Sequence, residues 1–351
     1  MKNRILAAIM AMVMVMGLAA CGSSSTTATT AAATTAAATE AATTAAEAQA
    51  TEAPATEAAA EETYLVGICQ LVQHVALDAA TQGFKDGLTA ALGDRVQFDE
   101  QNASGEANNC QTIVNGFISE NVDLIMANAT PALTAAASAT ADIPILGTSV
   151  TAYGVALDID DFNGTVGRNI SGTSDLASLE EQAQMLMEIY PEAKKVGLLF
   201  CNAEPNSRYQ VDEVNKVLTA AGIECVEYAF TDSNDITSVT TKACDEVDVI
   251  YIPTDNAAAA NTEAIANVVR PAKVPVVAGE EGICKGCGTV TLSISYYDLG
   301  VTTGQMAAKI LTGEADIATM PVEYTTSTKK YNAEICAELG VTVPADYAVI
   351  E

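Results

Sequence analysis

The feature that most constrains the fold of this chain is a near-repeat. Val122-Asp123-Leu124-Ile125 returns as Val247-Asp248-Val249-Ile250, and Ile143-Pro144-Ile145 returns as Val274-Pro275-Val276. Each motif opens an apolar run of strand length, and stretches of helical periodicity lie between the runs. The first half reads as strands 64–70, 96–101, 122–127 and 143–148, with helices 76–92, 109–119 and 131–139. The second reads as strands 195–200, 224–229, 247–252 and 274–278, with helices 207–220, 238–243 and 256–269. Alternation at this pace predicts an α/β protein with two doubly wound parallel-sheet lobes, one for each half.

In open α/β folds, ligands bind beyond the carboxyl ends of the strands. Two facing lobes would bring all those ends to one cleft, and the segments that follow the strands are polar: 70–74, 128–131, 148–151, 202–207, 254–256 and 279–282. They supply the candidate ligand-binding residues Gln73, His74, Asn128, Thr130, Thr148, Ser149, Asn206, Ser207, Thr254, Asp255, Asn256 and Glu280. Thr130-Pro131 has the chemistry of a helix start, with Thr as N-cap and Pro in the first turn. Free N–H groups there would take a carboxylate. Asp255 stands at the equivalent place in the second half. Donors on one wall and acids on the other suit a zwitterion, with its ammonium on Asp255 (Glu280 second) and its carboxylate on the N–H groups around Thr130 and Ser149.

The ends of the chain set an address. Lys2 and Arg4 precede a nearly unbroken apolar run over residues 5–18, followed by Leu18-Ala19-Ala20-Cys21-Gly22. The run is shorter than the ~20 residues that span a bilayer, so residues 1–21 read as a signal peptide. The small residues before Cys21 resemble a bacterial lipobox, which implies lipidation of Cys21. Residues 22–62 are almost entirely Ala, Thr, Ser and Glu, which cannot offset their ordering entropy, and form a tether. The expected address is the outer face of the cytoplasmic membrane, lipid-anchored at Cys21. A formal net charge of −29 argues against nucleic acid as a partner. Of nine cysteines, eight remain after Cys21, and several sit in strand-like runs, as buried free thiols would. Cys284-Lys285-Gly286-Cys287 lacks a second ligand pair, so no metal is expected.

Chemistry beyond binding has little support. The chain has no GxSxG, HExxH, Walker loop or GxGxxG after a first strand, and His74 is its only histidine. Adjacent Glu280 and Glu281 would point apart in an extended segment, which makes them poor acid–base partners. The expectation is a binding protein that needs no cofactor. The readings to separate are a solute-binding importer component, a ligand sensor and a secreted two-domain enzyme.

Most of the chain after the tether also resembles the tryptophan/tyrosine-type substrate-binding proteins of ABC transporters, which have the periplasmic binding protein-like I fold. The resemblance is carried by the segment from His74 through Ala76-Leu77-Asp78 to Gly83, by Asn128-Ala129-Thr130-Pro131 and by Gly172-Thr173-Ser174-Asp175. Glu204-Pro205-Asn206-Ser207, Pro253-Thr254-Asp255-Asn256, Glu280-Glu281-Gly282 and Tyr296-Tyr297-Asp298-Leu299-Gly300 complete it. It departs at Val75, where relatives usually have Pro, and in the longer stretch 153–169. It implies a monomer that captures an aromatic L-amino acid between its lobes and delivers it to ABC permease subunits. Tyr153, Phe200, Tyr209 and Tyr296 are the aromatic residues near the cleft, and Tyr296 joins the candidate site. It also implies a three-crossover hinge, placed near 171–175, 293–296 and 318–322. Lobe 1 then comprises 63–172 and 296–319, and lobe 2 comprises 173–295 and 320–351.

Overall fold

The computed structural model describes residues 62–350. The signal segment, Cys21 and nearly all of the tether lie outside the described residues. Lobe 1 runs β1 (Tyr64–Gln70), α1 (Val75–Leu92), β2 (Val96–Asn102), α2 (Ala107–Glu120), β3 (Leu124–Asn128), α3 (Thr130–Ala139), β4 (Ile145–Val150), α4 (Tyr153–Ala156) and β5 (Ile170–Ser174). Lobe 2 follows with α5 (Leu179–Ile189), β6 (Lys195–Cys201), α6 (Pro205–Ala220), β7 (Glu224–Phe230), α7 (Ile236–Glu246), β8 (Val249–Ile252), α8 (Asn256–Ala259), α9 (Thr262–Ala272), β9 (Val276–Ala278), α10 (Glu281–Cys287) and β10 (Val290–Ser293). The chain then continues through α11 (Tyr296–Leu311), β11 (Glu323–Tyr324), β12 (Thr328–Tyr331), α12 (Ala333–Leu339) and β13 (Ala348–Val349).

The first sheet is all parallel in the order β2-β1-β3-β4-β5-β11. The second has the order β7-β6-β8-β9-β10-β12-β13, antiparallel only between β10 and β12. Both faces of each sheet are covered, which is why the strands read as unbroken apolar runs. Along β3, Leu124 and Met126 pack beneath Phe84 and Leu88 of α1, while Ile125 and Ala127 face Phe117 of α2 and Leu133 of α3. In β8, Val249 and Tyr251 take one core and Ile250 and Ile252 the other.

The near-repeat is visible at atomic detail. Asp123 Oδ2 accepts from the Leu65 N–H at the start of β1, and Asp248 Oδ2 accepts from the Lys194 and Lys195 N–H groups at the start of β6. Ile125 N donates to Pro144 O, and Ile250 N donates to Pro275 O, both at 2.9 Å. The repeated aspartate thus ties the start of each lobe's third strand to that of its first.

The crossovers show where the sequence reading is corrected. β5 extends to Ser174, so Thr173 and Ser174 belong to the first sheet. The third crossover lies at residues 325–327 rather than within 318–322. The reason is the free edge of β5: Glu323–Tyr324 adds to it as a parallel strand, and Ser171 Oγ donates to the Met320 and Pro321 carbonyls. The helix expected over 256–269 is two, interrupted at Ala260 and Asn261. Glu281 opens a helix in place of the extended segment expected there.

Helices α1 and α11 pack almost backbone to backbone. A methyl group on Gly300 would collide with the Ala80 carbonyl, and one on Gly83 with the Tyr297 carbonyl. Since α11 carries Tyr296, this close approach also sets the depth of the cleft floor. Gly300→Ala is expected to cost about 1–3 kcal/mol by overpacking, measured as a lower urea midpoint with unchanged slope. An unchanged midpoint would mean the two helices can separate freely.

Candidate ligand-binding site

The carboxyl ends of both sheets meet around a small, tight cavity, with room of only about 10 Å³ for a water-sized sphere. Lobe 1 contributes His74 and Leu77 from the start of α1, Ser149 and Thr151 from the end of β4, and Asp175 just past β5. Lobe 2 contributes Asn206 of α6, Thr254, Asp255, Asn256 and Ala259 around α8, and Glu280 before α10. Tyr296, the first residue of α11, forms part of the wall at the second crossover.

Three buried polar atoms in this wall have no partner in the protein: Asp175 Oδ1, Asn206 Oδ1 and Ser149 Oγ. Buried polar atoms are rarely left unpaired, because each costs about 1–3 kcal/mol. Each is also fixed in place. Asp175 Oδ2 accepts from the Tyr296 hydroxyl at 2.9 Å, which leaves Oδ1 turned away from that bond. Asn206 Nδ2 donates to Glu204 Oε2 and to Thr254 O, both at 3.1 Å, so its amide orientation is set and Oδ1 is free. Ser149 sits in the left-handed region with φ 53°, unusual for a non-glycine residue.

The other two acids of the wall are occupied differently. Asp255 Oδ1 accepts from Ala258 N at 2.8 Å as the N-cap of α8, and its Oδ2 accepts from Cys201 N at 2.6 Å. Glu280 accepts from the N–H groups of Gly282 and Ile283 as the N-cap of α10. Both carboxylates therefore hold backbone, which departs from the expectation that Asp255, or Glu280 after it, is free for an ammonium.

Burial raises all three acids. Asp175 is pushed up to about 6, against the hydrogen bond from Tyr296. Glu280 rises to about 7, and Asp255 is raised by burial and by the charge of Glu204. No Lys or Arg lines the cavity, so a cationic group on a ligand would be the counter-ion these acids lack.

The remaining expected residues divide. Thr254 and Asn256 line the cavity. Asn128 does not: its Nδ2 donates to Leu77 O and Thr81 Oγ1, inside a network with Gln70 and Asp78. Thr148 shares hydroxyl bonds with Thr173 and Thr303. Ser207 is buried beside Asp255, and Gln73 is exposed. Thr130 is the first residue of α3 and not its cap. Ala129 holds the cap position, with φ 89°, and Thr130 lies in a rim groove with Pro131, Ala203 and Pro205. Of the four aromatic candidates only Tyr296 reaches the cavity. Tyr153 donates to Thr173 O and stacks on Phe162, Phe200 is core, and Tyr209 lines an outer groove.

Asp175 and Thr151, with the apolar Leu77 and Ala259, are the lining residues the sequence reading missed. Thr151 stood in one of the polar segments it flagged. Asp175 was placed in a hinge, although it directly follows a strand end and so met the same criterion as the others.

The eight described cysteines are free thiols, six of them buried. Among the described residues no group of three or more His, Cys, Asp or Glu is placed to hold a metal, and no helix is long and apolar enough to cross a membrane.

Two parallel-sheet lobes, three crossovers and a polar cavity between strand ends define a two-lobe ligand-binding protein. The chain belongs to the ABC transporter substrate-binding protein family, whose sequence profile matches residues 65–349. These are binding proteins and not enzymes. A tyrosine-binding protein from Clostridioides difficile (strain R20291) is 33% identical over 263 residues, which covers 73% of this chain and 75% of that protein. A Streptococcus pneumonia domain solved in complex with L-Trp is 30% identical, with TM-score 0.78 over 82% of this chain and 100% of its own. A ligand-free, open substrate-binding protein from Clostridium difficile is 34% identical, covering 82% of this chain and 99% of its own, yet has a TM-score of only 0.63. The lobes therefore lie closer to the arrangement of the L-Trp complex, in keeping with the small cavity between them.

Proposed function

We propose that this chain is an extracytoplasmic solute-binding lipoprotein, anchored through Cys21, that captures an aromatic L-amino acid as a monomer and delivers it to the permease subunits of an ABC importer. The observation that carries the ligand reading is the set of three unpartnered buried atoms in one cavity. Asp175 Oδ1 and Asn206 Oδ1 are acceptors, as an α-ammonium requires. Ser149 Oγ is a hydroxyl able to donate to an α-carboxylate. Leu77, Ala259 and the Tyr296 ring give the side chain an apolar wall. The L-Trp and tyrosine named for relatives at 30% and 33% identity support an aromatic side chain.

The test is a thermal-shift screen of the mature protein against all L-amino acids, followed by calorimetry. L-tryptophan or L-tyrosine should stabilise the native state by RT ln(1 + [L]/Kd), about 2.7 kcal/mol at a hundredfold excess over Kd, and so raise Tm. A shift with a sugar or nucleoside and with no amino acid would overturn the ligand class.

A further inference from the structure

Beside the cavity lies a larger groove of about 450 Å³, lined by residues of both lobes. Asn256 lines both spaces. Its Oδ1 lies 3.3 Å from His74 Nε2, a side-chain bond from one lobe to the other. Because Asn256 Nδ2 donates to Glu204 Oε2 at 2.7 Å, the amide is oriented and Oδ1 must accept, so Nε2 carries the proton. Glu204 Oε2 also accepts from Asn256 N and its Oε1 from Ala257 N, which holds the start of α8 rigid. His74 occupies the N-cap position of α1 but makes no side-chain cap bond there. Helix capping therefore does not explain the imidazole's placement. The bond across the mouth does.

We propose that His74 and Asn256 form a latch that holds the cleft closed over its ligand. The inference rests on an amino acid being the closing ligand. The groups facing the latch are Asp78 one turn along α1, Glu204 before α6 and bonded to Asn256, Asp255 at the start of α8, and Asp175 and Glu280 across the cavity. Burial outweighs the Asn256 bond and the Asp78 charge, and pushes the imidazole down to about 4. A ligand ammonium placed by Asp175 adds a like charge in the same cavity, and an open cleft would return the ring to water, near its ordinary ~6.5. Protonation is thus linked to opening.

Because the chain has one histidine, its imidazole proton signals are unambiguous. Titrated in the free protein and in the protein saturated with L-tryptophan, the His74 pKa should be lower in the complex by at least one unit. Between pH 7.5 and 5.5, the wild-type Kd should rise about tenfold more than that of His74→Gln, as values of ~6.5 open and about 4 closed require. At pH 7.5, His74→Ala should bind about 2- to 12-fold more weakly, through faster dissociation, with His74→Gln recovering part of the loss. Equal pKa values in the two states, or a His74→Ala protein that binds and releases like wild type, would overturn the latch. Failure of L-tryptophan to bind wild-type protein would overturn the aromatic reading instead, and the same titration would then be run with the amino acid that the thermal screen returns.

Discussion

Asp175→Asn is expected to weaken binding of L-tryptophan by about 30- to several-thousand-fold, the range that follows from removing one partner of a buried, hydrogen-bonded charge pair at roughly 2–5 kcal/mol. The free protein should not lose stability with it. The Asp175 carboxyl is held near 6 by burial, above its ordinary range. A raised acid binds its proton more tightly folded than unfolded, so its contribution is best at low pH and declines as pH rises toward 6. Above that the cost is constant, of the order of 3 kcal/mol. Asn removes the charge and keeps an oxygen for the Tyr296 hydroxyl. The variant should therefore melt at or above the wild-type temperature at pH 7.5, with the gain fading by pH 4. Affinity loss with retained or raised Tm is the signature of a ligand group. Calorimetry showing Asp175→Asn within threefold of wild type would place the ammonium elsewhere.

The contrast between the acids shows what was legible in the sequence. The two lobes were, because Val122-Asp123-Leu124-Ile125 and Val247-Asp248-Val249-Ile250 carry both an apolar strand and an aspartate tied to its neighbour strand. The cleft was also legible, since polar residues collect where strands end. Which acid faces the ligand was not. Asp255, Glu280 and Asp175 all follow strands, and they differ only in who donates to them. Two N–H groups meet each of the first two: Asp255 caps a one-turn helix and also takes the Cys201 N–H at the end of β6, and Glu280 takes both of its N–H groups from the two-turn helix it caps. One oxygen of Asp175 is left over, because Tyr296 arrives from the far side of a crossover 121 residues on. Such a pairing has no local signature. Thr130 failed as a cap for a similar reason: Ala129 takes a positive φ so that its N–H can reach Thr148 O, and the helix starts one residue earlier than the Thr-Pro pattern suggests.

Asp255→Ala should behave in the opposite way to Asp175→Asn. Helix α8 is a single turn, and Asp255 supplies its cap while also satisfying the buried Cys201 N–H at the end of β6. Losing an N-cap costs about 0.5–2 kcal/mol, and orphaning a buried N–H about 1–3. Relief of a buried charge beside Glu204 works against these losses. The net expectation is about 2 kcal/mol of destabilisation, or roughly 4–8 °C in Tm. The sign of the pH dependence separates the terms. The Asp255 carboxyl is raised by burial and by Glu204, so the wild type gains relative to the variant as pH falls and the acid is neutralised. The Tm gap between the two should therefore be wider at pH 5.5 than at pH 8.5. Affinity should fall less than in Asp175→Asn, through loosening of α8 and of Asn256 beside it. Asp255→Asn, which keeps one acceptor oxygen for the Ala258 N–H, should recover part of the stability. An Asp255→Ala protein that melts with the wild type and loses at least 30-fold in affinity would instead make Asp255 the ligand's ammonium partner and leave α8 able to start without its cap.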